Sequence, residues 1–159
     1  MVKKILVATD GSPRSEKAAD TAIMLAQSCG AELHVVSVLN TGSPRSALDI
    51  DLDTNEELKE YDTARAEAIE VDRMKPEQQF VSRITDKASG AGLETNGFVR
   101  QGNPAEEILN AAKENACDLI VVGTHGRGPI ATALMGSVAT KIIQGCATPV
   151  LVVPTADGR

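Results

Sequence analysis

A chain of 159 residues with 42% hydrophobic and 24% charged side chains has the make-up of one soluble domain able to bury its own core. A net charge of −6 excludes the basic stripe that a nucleic-acid surface needs, and no apolar run reaches the length of a membrane span. With two Phe, one Tyr and no Trp, the core must be built from Val, Ile, Leu and Ala.

Met1 to Lys4 leads straight into an apolar run, Ile5-Leu6-Val7-Ala8, which reads as a strand ended by Thr9-Asp10-Gly11-Ser12. Such a start predicts a cytoplasmic protein, free of membrane insertion. Ser12-Pro13 opens a helix as N-cap and first helical residue, and Gly30 closes it. Glu32 to Leu39 is a second strand, so the first β-α-β unit is complete within forty residues. Residues 40–54 read as a variable loop. Helical spacing runs from Leu58 to Ala91, with a break or kink expected at Lys75-Pro76. Glu94 to Arg100 is a weaker strand, suited to a sheet edge. Asn103-Pro104-Ala105-Glu106 starts the next helix, whose apolar face ends near Ala116.

Leu119 to Val122 is a short, β-branched run bounded by Gly123, as in a strand buried on both faces. Glycines follow at 123, 126, 128 and 136, and Ser137 leads into a short helix to about Gln144. Amides at a helix start carry partial positive charge and can receive an anion. A Walker A loop is excluded, because no lysine follows Gly136 before Lys141. Gly126-Arg127-Gly128-Pro129-Ile130-Ala131 fits a loose dinucleotide pattern. Thr148-Pro149-Val150 stands where the ribose-holding carboxylate would be needed, which disfavours it. A third reading leaves the glycines only shaping a strand-to-helix loop. Thr148 to Pro154 is the last strand and 155–159 a tail, so 1–159 reads as a single domain.

Strands alternating with helices predict an open, doubly wound parallel sheet of five strands with helices on both faces. The first three strands progress outward, and the long return places the fourth beside the first, giving the order 3-2-1-4-5. The topological switch between strands one and four then brings Ala8-Thr9-Asp10-Gly11 to Gly123-Thr124-His125-Gly126. Asp10, with no obvious structural partner in the sequence, is expected to serve a ligand rather than stability. His125 and His34 lie on different strands, so a loop-shaping hydrogen bond suits His125 better than zinc. Asp49, Asp51, Asp53 and Glu60 mimic part of a calcium loop but have Thr54 in place of its glycine, so they read as a solvated acidic stretch. Cys29, Cys117 and Cys146 form no C-x-x-C pair and read as free thiols.

The spacing Gly123-x2-Gly126-x9-Gly136-Ser137 resembles the ATP-binding motif of the universal stress protein family. Lys3 to Ser12 resembles that family's first strand, Gly102 to Ile108 its third-helix entry, and Pro149 to Val153 its last strand. The likeness runs from residue 3 to 154, departing in the 40–76 connection and at Pro129. It implies a Rossmann-like fold that binds ATP, with or without an accompanying magnesium or manganese ion. Gly123, Gly126, Gly136, Ser137 and Val138 would meet ribose and phosphates. Ala8, Thr9 and Asp10 would lie against base and ribose, and the Val38 backbone would meet the adenine edge. The residue chemistry agrees: Asp10 accepts from hydroxyls, Ser137 donates to phosphate, and Val38 and Val122 offer apolar walls. Arg127 is a candidate phosphate donor. Asp10 could hold a metal only indirectly, through the nucleotide.

The implied role is a regulatory or stress-response module without efficient catalysis, acting on an unidentified protein partner. The alternatives are a slow adenine-nucleotide hydrolase or transferase, and an interaction module that needs no nucleotide. Val150 to Val153 is an apolar run at a sheet edge with prolines only at its ends, which predicts a homodimer through that edge.

Overall fold

The computed structural model describes residues 1–41, 56–125 and 135–155, without the side chains of 56–63. Its elements in chain order are β1 (Lys4–Ala8), α1 (Pro13–Cys29), β2 (Glu32–Asn40), α2 (Glu56–Gly90) and β3 (Thr95–Gly102). They continue as α3 (Pro104–Glu114), β4 (Leu119–Gly123), α4 (Ser137–Gly145) and β5 (Val150–Val153). The strands form one parallel sheet in the order β3-β2-β1-β4-β5, as the sequence predicts.

Local punctuation sets the helix boundaries. The Ser12 hydroxyl accepts the Ser15 amide at 3.2 Å, and Pro13 begins α1 without wasting an N–H. Gly30 closes the helix at φ 64°, returning its N–H to the Ala26 carbonyl. Asn103 and Pro104 repeat the opening for α3, where the Asn103 side chain accepts the Ala105 and Glu106 amides. Each helix is thus delivered directly from a strand end, as a parallel crossover requires.

Strand periodicity of two divides the core. Ile5, Val7, Leu33, Val35 and Val121 turn toward α1 and α2, whereas Leu6, Val36, Ile120 and Val122 turn toward α3 and α4. The central strand pairs on both sides, Ile5 lying level with Leu33 and with Leu119. At its amino end Asp118 accepts the Lys3 and Lys4 amides at 2.8 and 3.0 Å, which holds its carboxyl below the usual carboxylate range.

Two expectations need correcting. The expected long helical connection is one helix of 35 residues, and the break half of the expectation at Lys75-Pro76 does not occur, because Pro76 lies inside α2. The carbonyl that loses its partner there belongs to Asp72, which is exposed, so water can satisfy it. β3 also extends two residues beyond the expected Arg100, to Gly102, pairing with β2 up to Asn40. No described helix is long and apolar enough to cross a membrane.

Gly97 lets α2 lie close to β3, because a Cβ there would fall 2.5 Å from Val81 Cγ1 and 2.8 Å from Thr85 Cγ2. Gly97→Val should therefore cost about 1–3 kcal/mol of unfolding free energy by overpacking, measured in urea. Unchanged stability would show that this contact yields freely.

Candidate functional site

The switch point is assembled from the carboxyl ends of β1 and β4 and the start of α4. On the β1 side, the Thr9 amide still donates to the Val36 carbonyl at 2.9 Å. The Thr9 hydroxyl lies 3.0 Å from the Ser15 hydroxyl and accepts the Gly11 amide at 3.2 Å. Asp10 Oδ1 accepts the Ser12 amide at 2.9 Å, an Asx turn that lifts the chain out of the sheet. Gly11 sits at φ 74°, the left-handed conformation this turn demands. Asp10 therefore has a structural partner, contrary to the expectation from sequence. The Asp-Gly-Ser tripeptide was the available signal, since Asx turns favour it.

On the β4 side a latch of threonines closes the edge. The Thr124 amide donates to the Val153 carbonyl at 3.0 Å, and the Thr155 amide donates back to the Thr124 hydroxyl at 3.0 Å. The two hydroxyls lie 2.9 Å apart, and Thr155 Oγ1 also accepts the His125 amide at 3.2 Å. The Thr124 carbonyl accepts the Gly136 amide at 2.6 Å, so both ends of the intervening loop are gripped at one point. The His125 backbone amide is thereby part of this latch. Thr155, read from sequence as the start of a tail, is 3% exposed and central to this latch.

The latch explains two signature glycines. A Cβ at Gly123 would come 2.7 Å from Thr155 Cγ2, and one at Gly136 would come 2.9 Å from the Thr124 carbonyl oxygen. Both positions lack a side chain because the protein's own atoms leave no room for one.

α4 begins differently from the other short crossovers. Its N-cap is Gly136, with no side-chain cap and no acidic residue in the first turn. α1 has Ser12 and Glu16 at its start, and α3 has Asn103, Glu106 and Glu107. The first-turn amides of α4 thus keep their donors and their positive end of the dipole. Ser137 is exposed beside them, and its hydroxyl makes no hydrogen bond among the described residues.

Ala8, Val38, Met135 and Val138 are partly buried apolar side chains packed on the α3/α4 side of the core. Val122 is 4% exposed and lies within that cluster. Ala8, Thr9, Asp10, Gly123, Gly136, Ser137 and Val138 therefore converge on the carboxyl edge of β1 and β4, with Val38 on neighbouring β2. Gly126, Arg127 and Pro129 lie outside the described residues, as do Asp49, Asp51, Asp53 and the Glu60 side chain. His34, 2% exposed, stands level with Leu6 in the middle of the sheet, whereas His125 follows the end of β4. Among the described residues no three His, Cys, Asp or Glu side chains come together.

An α/β domain of this strand order, with a bare helix start tied to its switch point, is a doubly wound, Rossmann-like protein. The model of the universal stress protein family matches residues 1–154, and the chain belongs to that family. It is 36% identical to universal stress protein YxiE of Bacillus subtilis, over 96% of this chain and 99% of that protein. The solved structure of MJ0577 shares the fold with a TM-score of 0.78 at 24% identity, covering 99% of both chains. A universal stress protein solved in complex with cAMP aligns with a TM-score of 0.68 at 25% identity, over 98% of both chains.

Thr155→Val keeps the volume but removes the hydroxyl from the latch. The variant should lose about 1–3 kcal/mol of stability, and the His125 and Gly136 amides should exchange faster with solvent. Wild-type exchange at both amides would overturn the latch.

Proposed function

We propose that this protein binds ATP at the β1/β4 switch and acts as a regulatory, stress-response module. The observation that carries the reading is the start of α4: uncapped, free of acid, and tied by Gly136 to the edge that presents Asp10. That arrangement suits a polyanion, since amide donors and helix dipole act together there. Ala8, Val38 and Val138 supply apolar surface for a base beside it, with Val122 beneath them. The Asp10 carboxyl would accept from ribose hydroxyls, and Ser137 would donate to a phosphate. The related protein solved with cAMP, an adenine nucleotide, supports the same ligand class.

A magnesium or manganese ion, if it accompanies the phosphates, would reach Asp10 only through the nucleotide. Efficient hydrolysis needs a positioned base and metal-holding acids around the γ-phosphate, and Asp10 is the one carboxylate the reading brings there. We therefore assign binding and signalling to a protein partner in the cytoplasm. A slow hydrolase is separable from this by assaying phosphate release.

Because the fold itself excludes side chains at Gly123 and Gly136, Ser137→Ala is the discriminating variant. It should leave the melting temperature of ligand-free protein unchanged and weaken ATP roughly tenfold or more, the worth of one hydrogen bond to a charged group. Calorimetry that finds no ATP binding to the wild-type protein overturns the reading. Mass analysis of nucleotide released from freshly purified protein would identify the cellular ligand.

We also propose a homodimer through β5, which pairs with β4 on one side and ends the sheet. Two copies related by a two-fold axis would join these edges antiparallel. Val152→Pro removes an amide mid-strand and should give monomer by light scattering. A monomeric wild-type protein at micromolar concentration overturns the proposal.

A further inference from the structure

α2 carries one side chain that packing alone does not explain. Its stripe facing the sheet runs Glu77, Val81, Ile84 and Ala88, all buried, so a carboxyl group occupies a core position. From Ala64 to Arg73 every side chain is exposed, so the helix first meets the body of the domain at Met74, Glu77 and Phe80. Glu77 is 3% exposed and accepts a hydrogen bond from the hydroxyl of Ser37, itself 1% exposed. One turn further on, the Phe80 ring covers Gly11 so closely that a Cβ there would collide with it.

These contacts fall on the two strand ends that the site uses. Ser37 precedes Val38 on β2, and Gly11 follows Asp10 after β1. Thr9 continues the register that pairs Ala8 with Val36, which sets it beside Ser37 on the same face. Ser15, Thr9, Ser37 and Glu77 thus form a buried polar layer directly under the carboxyl ends of β1 and β2. An apolar residue at 77 would serve burial; a carboxyl group adds direction, because it fixes the azimuth of Ser37 and with it the outward turn of Val38.

We propose that Glu77, acting through Ser37, is a positioning residue that sets the base-and-ribose half of the nucleotide site. Phe80 does the same for the Asp10 turn. The inference rests on the nucleotide reading above and adds a division of labour to it. The α4 amides hold phosphate, and α2 holds the strand ends that orient the nucleoside.

ATP and inorganic tripolyphosphate separate the two halves, because tripolyphosphate uses the phosphate half alone. Glu77→Leu should weaken ATP about tenfold and leave tripolyphosphate affinity unchanged. Glu77→Gln, which still accepts from Ser37, should restore ATP affinity to within about twofold. Ser37→Ala should weaken ATP as well, and the double variant should cost less than the sum of the two single changes, since both remove the Ser37–Glu77 hydrogen bond. If Glu77→Leu does not fold, Ser37→Ala with the same two ligands decides the matter. A general structural defect would lower both affinities equally, and that result overturns the proposal. Wild-type binding of both ligands with ATP affinity unmoved in Ser37→Ala and Glu77→Leu also overturns it, leaving the nucleotide reading intact. Failure of the wild-type protein to bind ATP overturns both.

Discussion

The parallel pairing of β1 with β4 is the constraint from which the site follows. Asp118 and Lys4 join these strands across 114 residues of chain, and the two can lie side by side only because the connections return over the sheet. Where the crossovers diverge, helices leave in opposite directions and a crevice opens between the strand ends. Asp118 fastens the amino end of this pair, through the Lys3 and Lys4 amides. Thr124 and Thr155 fasten the carboxyl end, and Gly136 hangs α4 from the same point. β4 is paired on both sides between Asp118 and Thr124, and the Gly136 amide ties the start of α4 to the end of that strand. That tie is what makes a bare helix start useful.

The fold was legible because its determinants are local or topological. Ser12-Pro13, Gly30 and Asn103-Pro104 announce helix ends within a few residues, and apolar runs of four mark the strands. The order of the sheet then follows from the handedness and economy of crossovers. Pro76 does not end α2, because helix breaking depends on whether the orphaned carbonyl can reach water, which only the tertiary setting decides.

The place where the candidate site residues gather was legible in the sequence, and the cause of their arrangement less so. Asp10, Gly136 and Ser137 do gather at the switch, yet the reason for the glycines is steric closure against Thr155 and the Thr124 carbonyl. The contacts that complete the site join residues far apart in sequence. Thr124 meets Thr155 31 residues away, and Ser37 meets Glu77 40 residues away. A lone threonine after a strand, or a glutamate in a helix rich in glutamates, has no local signature. Its partner is chosen by the fold.

The two-sided pairing of β1 has a consequence for how the protein is made. On the ribosome, β1, β2 and β3 emerge well before Leu119, and they can pair among themselves as soon as α2 is complete. Until β4 is synthesised, one whole side of Lys4–Ala8 carries unpaired amides and carbonyls on a nearly uncharged strand. A nascent or truncated chain is therefore most adhesive at the strand that later becomes the best protected. The switch point, which needs β4 and α4, comes into being only once both have emerged.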